Sequence, residues 1–178
     1  MLKQKQFLKL YQPVHKRFEK FCRARAFGDM PYKDLMNETL LIAFSKIKKL
    51  NNEDAFLSFL IGIAIRVLSN SKRKQKPLST EDFEFDNYAD PTGSIERKFE
   101  IEMLYKALAT LPVKQREALI LFEITGYSIK EIMQIQKSGS SAVKQRLSRG
   151  RKELAKVVKR YMEIPGEGYD AQLESSKN

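Results

Sequence analysis

The sequence has no tryptophan, one cysteine and one histidine among its 178 residues. Cys22 alone excludes an internal disulfide framework, and with only His15 beside it there is no set of side chains that could hold zinc. No glycine-rich phosphate loop appears, and the two residues have no partner set for nucleophilic chemistry, so an enzyme is the least supported class and no cofactor is expected. Long apolar runs are missing too. The longest, AFLSFLIGIAIRVL at 55–68, is too short to span a bilayer and carries Arg66 near its end, which predicts a buried helix and no membrane insertion. The first residues, MLKQKQFLKLYQPVHKRFEKF, break their apolar positions with lysines and so lack a signal-peptide core. Together with the single cysteine, this predicts a reducing, cytoplasmic location.

What the chain has in excess is positive charge. The formal net charge is +11 and the pI is about 9.7, values typical of proteins that meet polyanions such as nucleic acid or an acidic membrane surface. With 42% hydrophobic and 31% charged residues it can also build a core. The charge is unevenly placed. Residues 1–76 hold 17 Lys and Arg against 6 Asp and Glu, residues 77–100 hold 2 against 7, and residues 101–178 hold 14 against 9. The middle stretch, PLSTEDFEFDNYADPTGSIERKFE, contains Pro77, Pro91 and Gly93 and has no sustained helical period through Asp90, as expected of a linker. The expected organisation is therefore a basic domain at 1–76, an acidic linker at 77–93, a second basic domain at 94–160, and a fraying tail at 161–178.

Apolar residues recurring at three- and four-residue steps predict helices near 5–27, 31–50 and 53–72. Asp29, Pro31 and Asp34 occupy helix-start positions, and Asn51 and Asn52 separate the second segment from the third. In the second half, Ser94 precedes a helix to about Ala109, Pro112 opens one that stops before Gly126, and Ser128 caps a short one to about Gln136. The expected fold class is all-α, with two small helical domains.

The next segment, SGSSAVKQRLSRGRKEL at 138–154, has one oily edge and many cations. At 3.6 residues per turn, Val143, Leu147, Gly150 and Leu154 form a stripe while Lys144, Gln145, Ser148, Arg149 and Lys152 lie opposite. A short helix, a tight turn and a second helix with a polar outer face is the layout of a helix-turn-helix, whose second helix enters the DNA major groove. Ile129, Ile132 and either Ile135 or Gln136 would pack on Val143 and Leu147. Lys or Arg can address guanine edges and Gln adenine, which makes Lys144, Gln145, Ser148 and Arg149 base-edge candidates. Arg146 and Arg151 flank the stripe and suit phosphates, which set register without reading sequence. A merely solvated basic helix would look similar, but would not need the short capped helix before it.

The stretch LPVKQREALILFEITGYSIKEIMQIQKSGSSAVKQRLSRGRKEL resembles region 4 of bacterial RNA polymerase sigma factors of the extracytoplasmic-function (ECF) type, a branch of the sigma-70 family. The shared positions run from Leu111-Pro112 through Gln115-Arg116-Glu117, Gly126-Tyr127-Ser128, Glu131-Ile132, Val143-Lys144, Arg146-Leu147 and Arg149 to Arg151-Lys152. That region reads the −35 promoter element, so the resemblance implies contacts from Ser141, Lys144, Gln145, Arg146, Ser148, Arg149 and Arg151. The turn departs from the family pattern, having Lys137-Ser138 in place of glycine and an aliphatic residue.

The first half resembles sigma region 2. KDLMNETLLIAF at 33–44 is similar to the segment that grips the polymerase clamp, which implies polymerase binding by Asp34, Leu35, Asn37 and Glu38. FLSFLIGIAIRVLSNSKRKQK looks like the promoter-melting helix and implies −10 contacts from Arg66, Asn70, Lys72, Arg73, Lys74 and Lys76. Here Phe44 and Phe59 stand where the family often has tryptophan and are expected in the core, Asn70 replaces the usual aspartate, and Lys72 replaces an aliphatic residue. The resemblance spans roughly 15–76 and 94–157 and implies a sigma factor whose partners are core RNA polymerase and promoter DNA, with room for an anti-sigma factor. The rivals are a stand-alone helix-turn-helix regulator, which would bind its operator tightly without polymerase, and a basic membrane-surface or scaffold protein.

Overall fold

The computed structural model describes residues 2–74 and 94–163, without the side chains of Leu2, Lys72, Arg73, Lys74 and Ile95. Lys76, the acidic linker at 77–93 and tail residues 164–178 lie outside the described residues. Among the described residues there are eight α-helices and no strand.

The stretch expected as one helix at 5–27 is two, α1 (Leu2–Tyr11) and α2 (His15–Ala26). Pro13 is the physical reason, because it has no N–H to donate and drives the residue before it out of helical geometry. The corner turns through Gln12 and Val14, with Val14 N–H donating to Tyr11 O at 3.0 Å. Helix α3 (Tyr32–Lys46) follows Gly28, whose φ of +79° allows α2 to end abruptly. It has no side-chain N-cap, so the expected roles of Asp29 and Asp34 at its start do not include capping. Asn52 does cap, accepting from Asp54 N–H at 2.9 Å at the entrance to α4 (Phe56–Lys74).

The core of this half gathers Phe7, Phe18, Phe21, Leu35, Ala43, Phe56, Leu60, Ile61 and Leu68, all buried. Phe7 meets Phe44 and Phe56 edge-on, each with ring centroids 5.4 Å apart. Phe44 and Phe59 pack half-buried against the core, as expected of them. Glu53–Ser71 proves long and apolar enough to cross a membrane by length and composition, which the shorter run read from the sequence did not suggest. Its apolar side is spent on this core: Leu57, Leu60, Ile61, Ala64, Val67 and Leu68 are buried.

In the second half, Ser94 Oγ accepts from Arg97 N–H to open α5 (Ile95–Ala109). Helix α6 (Val113–Leu119) continues into a π-helical turn, Ile120–Ile124. There Thr125 N–H reaches Ile120 O at 2.9 Å and Gly126, at φ +78°, reverses the chain. Helices α7 (Ile129–Gln136) and α8 (Ser140–Glu163) complete it, so residues 161–163, assigned to the tail, are helical. Gly150 lets α8 lie close on α6, because a Cβ there would stand 3.0 Å from Leu119 Cδ1.

The two halves share a seam in which α2 packs on α5 and the π turn, and α4 on α7. Arg116 sits where α2 ends, donating through Nη2 to the carbonyls of Ala24 (3.0 Å), Arg25 (2.9 Å) and Phe27 (2.6 Å). A guanidinium satisfies carbonyls that a helix end leaves unpaired and complements its negative pole. Burial, then the nearby Arg25 charge, pull the Arg116 pKa down to about 10 against the opposing pull of Asp29 and Glu117. Arg17 donates to Thr125 O at 2.9 and 3.1 Å and lies over the Tyr127 ring, whose hydroxyl accepts from Ser58 Oγ at 3.1 Å.

Candidate nucleic-acid interface

Helix α7 begins with a capping box. Ser128 Oγ accepts from Glu131 N–H at 3.3 Å, and the Glu131 carboxylate accepts from Ser128 N–H at 2.8 Å and from its hydroxyl at 2.6 Å. Those hydrogen bonds from the Ser128 hydroxyl and backbone hold the Glu131 carboxyl below the usual carboxylate range. The apolar face of α7 is more selective than its sequence suggests: Ile132 and Gln136 are buried while Ile129 and Ile135 are half-buried. Gln136 is fixed by a bond from Nε2 to Lys114 O of α6 at 3.0 Å.

Helix α8 lies on this platform by the stripe expected of it. Val143, Leu147 and Gly150 are buried and Leu154 is half-buried, which turns the opposite side outward. Ser141, Lys144, Gln145, Ser148 and Arg149 are all exposed there. A run of cations and amides on one open helix face has the donors and acceptors that phosphates and base edges require. The remaining two arginines are already occupied. Arg146, half-buried, donates through Nη1 to Gln136 Oε1 and to Ser138 Oγ, both at 2.8 Å. Arg151 makes a forked pair with Glu123 Oε1 at 2.9 and 2.7 Å, exposed on both sides and therefore readily exchanged for another anion.

On the first half, Asp34, Asn37 and Glu38 are exposed along one face of α3. Leu35 is not. At 0% exposure it is a core residue, and the expectation that it touches a partner is corrected by its packing. Leu41, 73% exposed, is the apolar residue that continues the open face, at steps of three and seven from Glu38 and Asp34. Sequence reasoning passed over it because apolar residues go round most of α3, leaving periodicity unable to choose a side. Of the −10 candidates, Arg66 and Asn70 are exposed on α4. Lys72, Arg73 and Lys74 belong to its last turn but their side chains, like all of Lys76, lie outside the described residues.

These features define a two-part helical protein with a helix-turn-helix at one end. Residues 101–154 match the family model described as sigma-70, region 4. The chain is 26% identical over 154 residues, 85% of its length and 76% of the relative's, to the ECF RNA polymerase sigma factor SigM of Mycobacterium tuberculosis. In fold it is similar to CnrH, solved with the cytosolic domain of CnrY, at a TM-score of 0.65 and 19% identity over 88% of this chain and 90% of that one. It is equally similar to the sigma factor RpoE of Bartonella quintana, solved with the anti-sigma factor NepR, at a TM-score of 0.67 and 22% identity over 89% and 98%. Residues 101–154 thus match a sigma-70 region 4, and the chain as a whole is similar to ECF sigma factors.

Proposed function

We infer that this chain is a sigma factor that binds core RNA polymerase and directs promoter recognition, DNA opening and the start of transcription. The observation that carries the reading is the capped helix-turn-helix whose exposed Lys144, Gln145, Ser148 and Arg149 face away from the core, in a chain similar over most of its length to an ECF sigma factor. A stand-alone regulator would not account for a similarity that runs over 85% of the chain, well beyond the helix-turn-helix.

In this reading residues 94–160 form the −35 domain. Lys144, Gln145, Ser148 and Arg149 address base edges, and Ser141 and Arg151 address phosphates, Arg151 by exchanging Glu123 for DNA. Residues 1–76 form the polymerase and −10 domain, with 77–93 as the connector. Asp34, Asn37, Glu38 and Leu41 offer the clamp an acidic and amide surface with an apolar anchor, while Arg66, Asn70 and the basic residues at 72–76 take the separated strand. Holding an extruded base would offset an unstacking cost of a few kcal/mol. The protein itself makes no bond. A cytoplasmic location follows from partners that are polymerase and chromosomal DNA, and a partner like the one solved with the Bartonella protein would fit here as an anti-sigma factor.

Run-off transcription with purified core polymerase on a promoter library tests the whole reading. Core enzyme should retain the chain and initiate from a subset of templates sharing an upstream element. Failure to bind core, or tight sequence-specific DNA binding without it, overturns the reading in favour of a regulator. Liposome binding that outcompetes DNA would favour a membrane-surface protein.

A further inference from the structure

We propose that Arg146 is a positioning residue, one that fastens the turn between α7 and α8 and serves DNA reading through the placement of α8, without holding a phosphate itself. The proposal rests on α8 being the recognition helix. Its starting point is Lys137, which ends α7 at φ 48° and ψ 52°. It is the one residue other than glycine with positive φ among the described residues. A Cβ makes this left-handed conformation unfavourable by roughly a factor of ten, so the turn needs support from outside its own backbone.

Arg146 supplies it from one turn and a half into α8. Its Nη1 bridges Gln136 Oε1 and Ser138 Oγ, the residues on either side of Lys137. Ser138 Oγ passes its own hydrogen to Gln136 O at 3.0 Å, and Ser138 N–H closes on Met133 O at 3.0 Å. Gln136, 7% exposed, is in turn tied to Lys114 O of α6. One guanidinium thus links recognition helix, turn, α7 and α6. Turning Arg146 toward a phosphate would take the donor from a buried amide oxygen, a loss that exposed Lys144 and Arg149 do not face.

The experiment compares wild type, Arg146→Ala, Lys137→Gly and the double variant as full chains. Binding of each with core polymerase is measured on promoters with and without the upstream element, across a salt series. Amide hydrogen exchange at Ser138 is measured on each chain alone. Arg146→Ala should speed Ser138 exchange and lower element-dependent binding by about tenfold, with the salt slope unchanged. Adding Lys137→Gly should restore most of both, because glycine takes the left-handed turn without penalty. The proposal is overturned if Ser138 exchange does not respond to Arg146→Ala. It is equally overturned if the salt slope drops by about one contact and Lys137→Gly rescues nothing, the signature of a lost phosphate contact. A wild-type holoenzyme indifferent to the upstream element would sink the recognition-helix reading instead, and the exchange result would still decide the role of Arg146 in the turn.

Discussion

Arg25 of α2 and Glu117 of α6, 92 positions apart in the chain, meet at 3.3 Å with 2% and 1% of their side chains exposed. Asp29, 2.6 Å from Arg25, and Arg116, 3.8 Å from Asp29, complete an inner set of two arginines and two carboxylates in the seam, which exposed Lys114 joins from the rim at 3.4 Å from Glu117. The helical halves carry net positive charge on both sides, so an internally balanced cluster lets them pack where two basic surfaces would repel.

Removing Glu117 leaves Arg25 and Arg116, both buried, sharing the single carboxylate of Asp29. Glu117→Ala is therefore expected to destabilise the chain by about 3–5 kcal/mol, and a volume-matched apolar replacement of Arg25 and Glu117 together by much less. A double-mutant cycle from urea unfolding measures the difference. Equal and additive losses from the two sites would show that the pair does not interact.

The capping box sets a second expectation. Ser128→Ala should cost about 1 kcal/mol of stability, through loss of the acceptor for Glu131 N–H. The Glu131 carboxyl is depressed by its bonds to Ser128, so its contribution is present above the usual carboxylate range and lost as pH falls through the lowered folded-state value. The stability gap between wild type and Glu131→Gln should accordingly shrink on acidification in thermal unfolding. A gap that widens toward acid contradicts this origin.

Arg149 is exposed on the open face of α8 and makes no contact with Gln136 or Ser138 of the kind that Arg146 makes. Arg149→Ala should relax preference at one upstream base pair, by about 1–3 kcal/mol, and leave melting temperature unchanged. Transcription from a library randomised at that element reads the effect. Uniform weakening across all sequences would reassign Arg149 to a phosphate.

On α3, Glu38→Ala and Leu41→Ala should each weaken retention by core polymerase without altering stability, since both side chains are exposed. Leu35→Ala should instead cost about 2–5 kcal/mol of folding free energy, as a fully buried leucine does. Co-elution with core enzyme and urea unfolding separate the two classes. A Leu41→Ala chain that binds as wild type would remove Leu41 from the surface.

Much of the second half is legible from neighbouring residues. Ser94, Ser128 with Glu131, and the Val143–Leu147–Gly150 stripe act within one or two helical turns, so local pattern places α5, α7 and α8 correctly. The same locality explains a miss. Pro13 breaks the expected 5–27 helix by a strictly local rule, which the strong apolar period on both sides of it concealed.

The caps at Ser94 and Ser128 and the apolar stripe of α8 were thus readable in advance, because each depends on atoms that are close along the chain. Folding alone settled that Leu35 is core and Leu41 surface, that Arg146 serves the turn, and that Arg25 finds Glu117. Those assignments depend on which helix faces approach one another, and side chains 92 positions apart become neighbours only once packing has chosen the faces.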